Sequence, residues 1–188
     1  ESLGTLLTRS RALELDVEPF IRDGQFEVRT LDPAEVSPGE FANMVKRSVE
    51  SGARTVVIDS LNAYLQAMPG DKHLMLQMHE LLTYLNQQGV MTMMVLAQHG
   101  LIGAMGTPID VSYLADSVII TRFFEAVGNI RKAISIIKKR SGPHEAAVRE
   151  LNLTSGGVVV GPPLTDFQGV LTGVPSYLGG ERGGSRNG

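Results

Sequence analysis

An α/β fold, a mostly parallel sheet flanked by helices that passes into an antiparallel meander, is predicted by three features of this 188-residue sequence. Two apolar, β-branched runs, residues 54–59 and 90–97, bracket a strongly periodic helical stretch. That order is a strand–helix–strand unit. A second helix, with its own start and stop signals, precedes the first run. After residue 116 three strand patterns follow one another across short turns.

Taken in order, residues 2–14 place Leu3, Leu6, Leu7 and Leu13 in a polar setting and read as an amphipathic helix. Pro19 and Asp23-Gly24 break the chain, and residues 26–30 alternate as a short strand would. Ser37-Pro38-Gly39-Glu40 carries a hydroxyl cap, a first-turn proline and a glutamate three residues after the cap, and Gly52 closes the helix it starts. Residues 54–59 form a continuous apolar strand ending on Asp59, a pattern expected of a sheet covered on both faces. Asp71 is the predicted cap of the next helix, whose Leu74, Met78, Leu81 and Leu85 share a face, and Gly89 ends it. The methionines, among them Met75, Met91, Met93 and Met94, read as core filler. Strands are then expected at 117–124, 130–140 and 148–153, with turns at 125–129 and 155–157. Domain organisation is expected to be one domain over 1–165 and a flexible tail over 166–188.

Composition narrows the function. Hydrophobic residues make up 43% and charged residues 20%, with 17 basic against 20 acidic side chains and a net charge of −3. A mildly acidic chain is not, as a whole, a surface for nucleic acid or anionic lipid. With no cysteine, disulfides, thiolate metal sites and cysteine nucleophiles are excluded. No apolar run nears the ~20 residues of a bilayer span, and no signal-peptide pattern opens the chain, so a cytoplasmic location is expected. His73 and His79 stand six apart, too far along a helix to pair as metal ligands.

Two features bear on chemistry. An acid that ends a buried strand is the Walker B pattern, in which Asp orients magnesium or its water; a helix cap at a βα turn looks the same, so Asp59 alone leaves both roles open. The usual companion, G-x-x-x-x-G-K-[ST], is absent: none of Lys46, Lys72, Lys132, Lys138 and Lys139 follows a glycine. The second feature is a stretch from 130 to 149 with six cations and one acid, Glu145. Strand alternation puts Lys132, Ile134, Ile136, Lys138 and Arg140 on one face and Lys139 on the other. Lys138 and Arg140 would then meet at one strand end, suited to gripping a polyphosphate, with the Gly142-Pro143-His144 turn returning to the same place. A solvated edge strand whose charges deter pairing is the competing reading.

Three segments together resemble the KaiC-like branch of the RecA-type ATPases: TVVIDSLNAYL (55–65), LADSVIITRFF (114–124) and RKAISIIKKRSGPHEAAVREL (131–151). The last is the most specific, and coverage runs over about residues 1–165. The resemblance implies a RecA-like P-loop NTPase core that binds ATP and Mg2+ and hydrolyses ATP. Asp59 matches the Walker B acid and magnesium-side carboxylate. Lys138, Arg140 and His144 match the K-x-R-x-x-x-H element that reaches a neighbouring subunit's ATP, with Lys139 contacting nucleotide through its backbone. Lys132 and Leu13 align by spacing with nucleotide-contacting positions. Glu1 matches the second glutamate of the catalytic pair, and Gln98 falls where such folds place a γ-phosphate sensor.

The same resemblance implies a homo-oligomeric ring, a hexamer, with composite sites between subunits; a protein partner that receives a conformational signal is expected because nothing in the sequence resembles a small-molecule substrate pocket. Residues 169–175 resemble the C-terminal finish of two-domain relatives. Ser141-Gly142 stands where the circadian-clock ATPase of that branch has Gly followed by Ser or Thr, and Ser112-Tyr113 stands near its adjacent Ser-Thr phosphorylation sites. Both departures argue against clock-type autophosphorylation and leave Ser112 between phosphoacceptor and exposed loop residue. The missing phosphate loop is expected to lie upstream of Glu1, so the 188 residues alone should be inactive and, with an unpaired strand edge, aggregation-prone.

Two other function classes remain open. A RecA-like recombination filament would grip DNA through loop 98–110, which carries no Lys, Arg or aromatic residue. A non-catalytic assembly module would bind nucleotide to hold a ring with negligible turnover.

Overall fold

The computed structural model describes residues 2–32, 34–66, 73–97 and 112–178. It divides into two compact units, one of residues 29–98 and one of 1–28 with 99–188. Among the described residues no helix is long and apolar enough to cross a membrane.

The 29–98 unit opens with α3 (Pro38–Glu50), preceded in the chain by α1 (Leu3–Ala12) and α2 (Glu18–Arg22). The capping box is formed at both ends: the Glu40 N–H donates to Ser37 Oγ, and the Ser37 N–H donates to Glu40 Oε2 at 2.9 Å. β1 (Thr55–Asp59) pairs in parallel with β2 (Met91–Val95), from Thr55 opposite Met91 to Asp59 opposite Val95. Between them run α4 (Leu61–Gln66) and α5 (Leu74–Gln87). Val49 of α3, Leu81 and Leu85 of α5, and Val90 make the core, with Val45 and Val56 against it. The helix cap expected at Asp71 lies outside the described residues.

Coverage of both sheet faces is not what the described residues show. α3 and α5 pack on each other and on the Val56/Ile58 face. The opposite face carries Val57, Asp59, Met91, Met93 and Val95, with Val57, Met91 and Met93 each more than half exposed. Met91 and Met93 therefore do not fill this core.

The second unit begins with α1, capped by Ser2, whose side chain accepts from the Thr5 N–H. Pro19 does not break the chain there; it sits in the first turn of α2, where its missing N–H has no intrahelical partner to lose. The strand expected at 26–30 is irregular, because a short alternating run becomes a strand only when another strand completes its hydrogen bonds.

The meander is β3 (Ser117–Ala126), β4 (Asn129–Lys139), β5 (Arg149–Thr154) and β6 (Gly157–Pro163), antiparallel in that order. Val127 and Gly128, both at positive φ (52° and 71°), make the two-residue β3–β4 turn. Phe124, Ala126, Ala133 and Val170 are buried together, with Val148, Leu164 and Phe167 against them. Residues 166–178, the described part of the segment expected as a tail, carry regular structure. β7 (Phe167–Gln168) pairs with β8 (Ser176–Tyr177), and Gly169 and Gly173, both at positive φ, flank the turn that buries Val170. The expected tail at 179–188 lies outside the described residues.

Candidate functional site

Asp59 ends β1 on the exposed face of the two-stranded sheet, at the carboxyl end where open α/β folds collect ligands. The Asp59–Ser60 peptide is cis, and α4 starts one residue later. Among the described residues no three His, Asp or Glu side chains gather as a metal cage. A single exposed carboxylate fits magnesium, which keeps several waters and is held chiefly by substrate phosphates.

Asn62, two residues beyond the carboxyl end's turn, is 9% exposed and reaches the other strand end: its Nδ2 donates to the Ala97 carbonyl at 2.8 Å. The Ala97 N–H donates back to Asn62 Oδ1 at 2.7 Å. Sequence reading passed over Asn62; its signal was a polar residue inside the otherwise apolar run after Asp59.

The basic strand departs from simple alternation. Val118 pairs with Lys138 but Ile119 pairs with Ile136, so Ile137 is an extra residue, a β-bulge. Beyond it the faces exchange. Lys139, opposite Ser117, joins the face of Lys132, Ile134 and Ile136, all half-buried, whereas Lys138, opposite Val118, joins the buried face of Ala133 and Ser135. The expected grouping of Lys138 with Lys132, and Lys139 apart, is therefore reversed. Lys138 is half-buried, Lys139 exposed.

Arg140 continues from this end. Its N–H donates to the Asp116 carbonyl at 2.7 Å, and its Nη1 donates to Asp116 Oδ1 at 2.8 Å. Nη2 reaches the Tyr113 carbonyl at 3.2 Å, which ties Arg140 to the 3-10 turn Ser112–Leu114. Lys139 Nζ donates to the Pro143 carbonyl at 3.5 Å, so the turn carrying His144 does fold back on the strand end. His144 itself is exposed. Lys132 lies over the Phe123 ring, 5.7 Å from its centre. Leu13 ends α1, and its carbonyl lies so near Gly157 that a β-carbon there would come within 3.1 Å. Glu1 and Gln98 lie outside the described residues, as does the side chain of Ser112.

The cation excess is smaller than its sequence window suggested. Arg131 forms a two-pronged pair with Glu150, both bonds 2.7 Å, and its guanidinium also lies over the Phe124 and Phe167 rings. The paired guanidinium holds the Glu150 carboxyl below its ordinary range and raises Arg131 in turn. Arg149 donates from Nε (2.9 Å) and Nη2 (2.6 Å) to the single oxygen Glu145 Oε1, and these bonds lower that carboxyl. Among the described residues, at least three of the six cations thus have carboxylate partners within the chain. Glu150 stands one residue past the basic window, and Asp116 comes from β3's approach.

A family model described as ATPase: KaiC matches residues 1–165. The chain belongs to the KaiC ATPase family. The mixed parallel and antiparallel sheets are those of its RecA-like P-loop fold. Circadian clock protein KaiC3 of Synechocystis sp. is 25% identical over 179 residues, 94% of this chain and 35% of that protein. The circadian clock oscillator protein KaiC of Prochlorococcus marinus is 21% identical over 96% of this chain and 36% of its own length. That of Synechococcus elongatus is 20% identical, over 95% and 34%. The chain therefore spans about a third of the length of these curated KaiC relatives.

Proposed function

We propose that the protein containing this chain is an ATP-hydrolysing, ring-forming KaiC-family protein with composite nucleotide sites between subunits, acting in the cytoplasm on a protein partner. The observation that supports it best is Asp59 at the carboxyl end of a parallel strand, within a family match over residues 1–165. Asp59 orients the magnesium side of the site. Magnesium, when bound, neutralises charge that develops on the transferring phosphoryl group. From the adjacent protomer Arg140, with Lys138 and His144, approaches the γ-phosphate, and the Lys139 backbone contacts it. Lys132 and Leu13 lie along the nucleotide, Glu1 belongs to the catalytic glutamate pair, and Gln98 senses the γ-phosphate.

The planar, permanently charged guanidinium of Arg140 suits this task better than an ammonium would. Its carboxylate partner, Asp116, is an exposed side chain, so the pair exchanges readily for a phosphate in trans. The test is phosphate release by the full-length protein. Arg140→Ala and Asp59→Asn should each lower kcat by about 10³-fold or more, with nucleotide binding partly kept. Mixing the two variants should restore turnover, because some interfaces then pair an intact Asp59 with an intact Arg140. Undiminished turnover in Arg140→Ala, or no recovery on mixing, overturns the trans assignment.

A further inference from the structure

Asn62 makes both of its strong hydrogen bonds to the backbone of a single residue 35 positions away. The last ladder pair of the parallel sheet is Asp59 with Val95, and Ala97 lies two residues further on. By then the other chain has left the sheet and entered α4. Ala97 is an exposed residue, yet its N–H and C=O are both bonded to Asn62 rather than left to water. The Asn62 carboxamide supplies an acceptor and a donor in one plane, in place of the backbone that β1 no longer offers. Asp in the same position would offer acceptors alone, and Ser is too short to meet both groups.

This amide joins the two strand ends at the carboxyl edge of the sheet, the edge that carries Asp59. The bond is two-way, long in range and made by a buried side chain, a tie that fixes two strand ends relative to each other. Resting on the ATPase reading above, we propose that Asn62 is a positioning residue for ATP hydrolysis: it pins the chain leaving β2 to the chain leaving β1 and so holds Ala97 at fixed spacing from Asp59.

The experiment compares Asn62→Asp with wild type in the full-length protein, by steady-state phosphate release and thermal melting. The substitution keeps size and the acceptor for the Ala97 N–H but sets an oxygen against the Ala97 carbonyl. The expected result is a cooperative melt, a KM for MgATP within about twofold of wild type, and a kcat lower by about ten- to a hundredfold, the range for small misplacement of reacting groups. A merely structural Asn62 would lower the melting temperature and leave kcat per folded molecule unchanged, and that result overturns the proposal. Should Asn62→Asp not fold, Asn62→Ser carries the same expected loss of kcat without loss of KM. Hydrogen exchange in the wild-type protein decides separately: the Ala97 amide should exchange as slowly as those of β2, and free-amide exchange overturns the clamp. Equal turnover in wild type and variant overturns this inference and leaves the ATPase reading standing; a wild-type protein without turnover overturns both.

Discussion

Arg140 is held by Asp116 twice over, through its backbone N–H at 2.7 Å and through its guanidinium at 2.8 Å. Both side chains are about 60% exposed, so the ion pair adds little to stability. Its consequence is direction: the guanidinium is kept at the strand end and against the Tyr113 carbonyl. Asp116→Asn retains one acceptor oxygen and loses the charge. The full-length variant should melt within a degree or two of wild type, while kcat for ATP falls by about tenfold and KM moves less. Arg140→Lys should not substitute for Arg140, since an ammonium lacks the planar fork that reaches Asp116 and the Tyr113 carbonyl at once. Full activity in Arg140→Lys would show that charge alone suffices.

The Arg131–Glu150 pair is more shielded, with side chains 29% and 20% exposed, and its guanidinium also covers Phe124 and Phe167. Glu150 titrates below its ordinary value in the folded chain because Arg131 donates two hydrogen bonds to it. A lowered folded pKa means the stabilisation is fully present above the unfolded carboxyl value, about 4.3, and is lost as pH falls through the folded one. Glu150→Gln should cost about 1–2 kcal/mol at neutral pH. The difference from wild type should shrink as pH falls through the lowered folded value of Glu150, below which both side chains are neutral. Chemical denaturation at pH 7 and at a descending series of acid pH values reads both.

Val127 is a β-branched residue at φ 52°, in a turn where Asn and Gly are favoured. It is 83% exposed, so replacing it removes no core packing. Val127→Asn should stabilise the β3–β4 hairpin by about 1 kcal/mol, seen as a higher melting temperature with unchanged denaturant slope. A lower melting temperature would mean that the Val127 side chain makes contacts in the assembled protein.

The elements that sequence made legible are those whose signal is local. Ser37 and Glu40 announce a helix start by their spacing alone, and both bonds of the box are present. The turn expected at 125–129 is present but shorter, Val127-Gly128 alone, because β3 runs on to Ala126 and β4 starts at Asn129. The place of Asp59 at the end of β1 was readable from the β-branched run Thr55–Ile58 before it. What stayed hidden depends on partners distant in sequence. The Ile137 bulge exists because β3 sets the register of β4, and no alternation within β4 reveals that Lys138 and Lys139 exchange faces. Glu150 and Asp116 neutralise arginines 19 and 24 residues away, so counting charges in one window overstated the positive field. Exposure of Val57 and Met93 escaped notice for the same reason, since an apolar strand does not say on which side its helices pack.

The segment after residue 165 gives the last prediction. Phe167 meets Phe124 edge-on at 5.8 Å and Tyr177 at 5.4 Å, and Val170 is 4% exposed within the same cluster. Phe124 is fully buried, so part of its cover comes from residues beyond the stretch that the KaiC family model matches. Val170→Ala removes two methyl groups from a closed site and should cost about 1–2.5 kcal/mol. Phe167→Ala leaves a larger gap beside Phe124 and also uncovers the Arg131 guanidinium, so its cost should be greater, about 3 kcal/mol. Because Phe167 and Arg131 touch, Phe167→Ala and Glu150→Gln should not add: the double variant should be destabilised by less than the sum of the singles. Strict additivity in a denaturation cycle would show that the ring and the ion pair are independent, and would leave the 166–178 segment as packing for Phe124 alone.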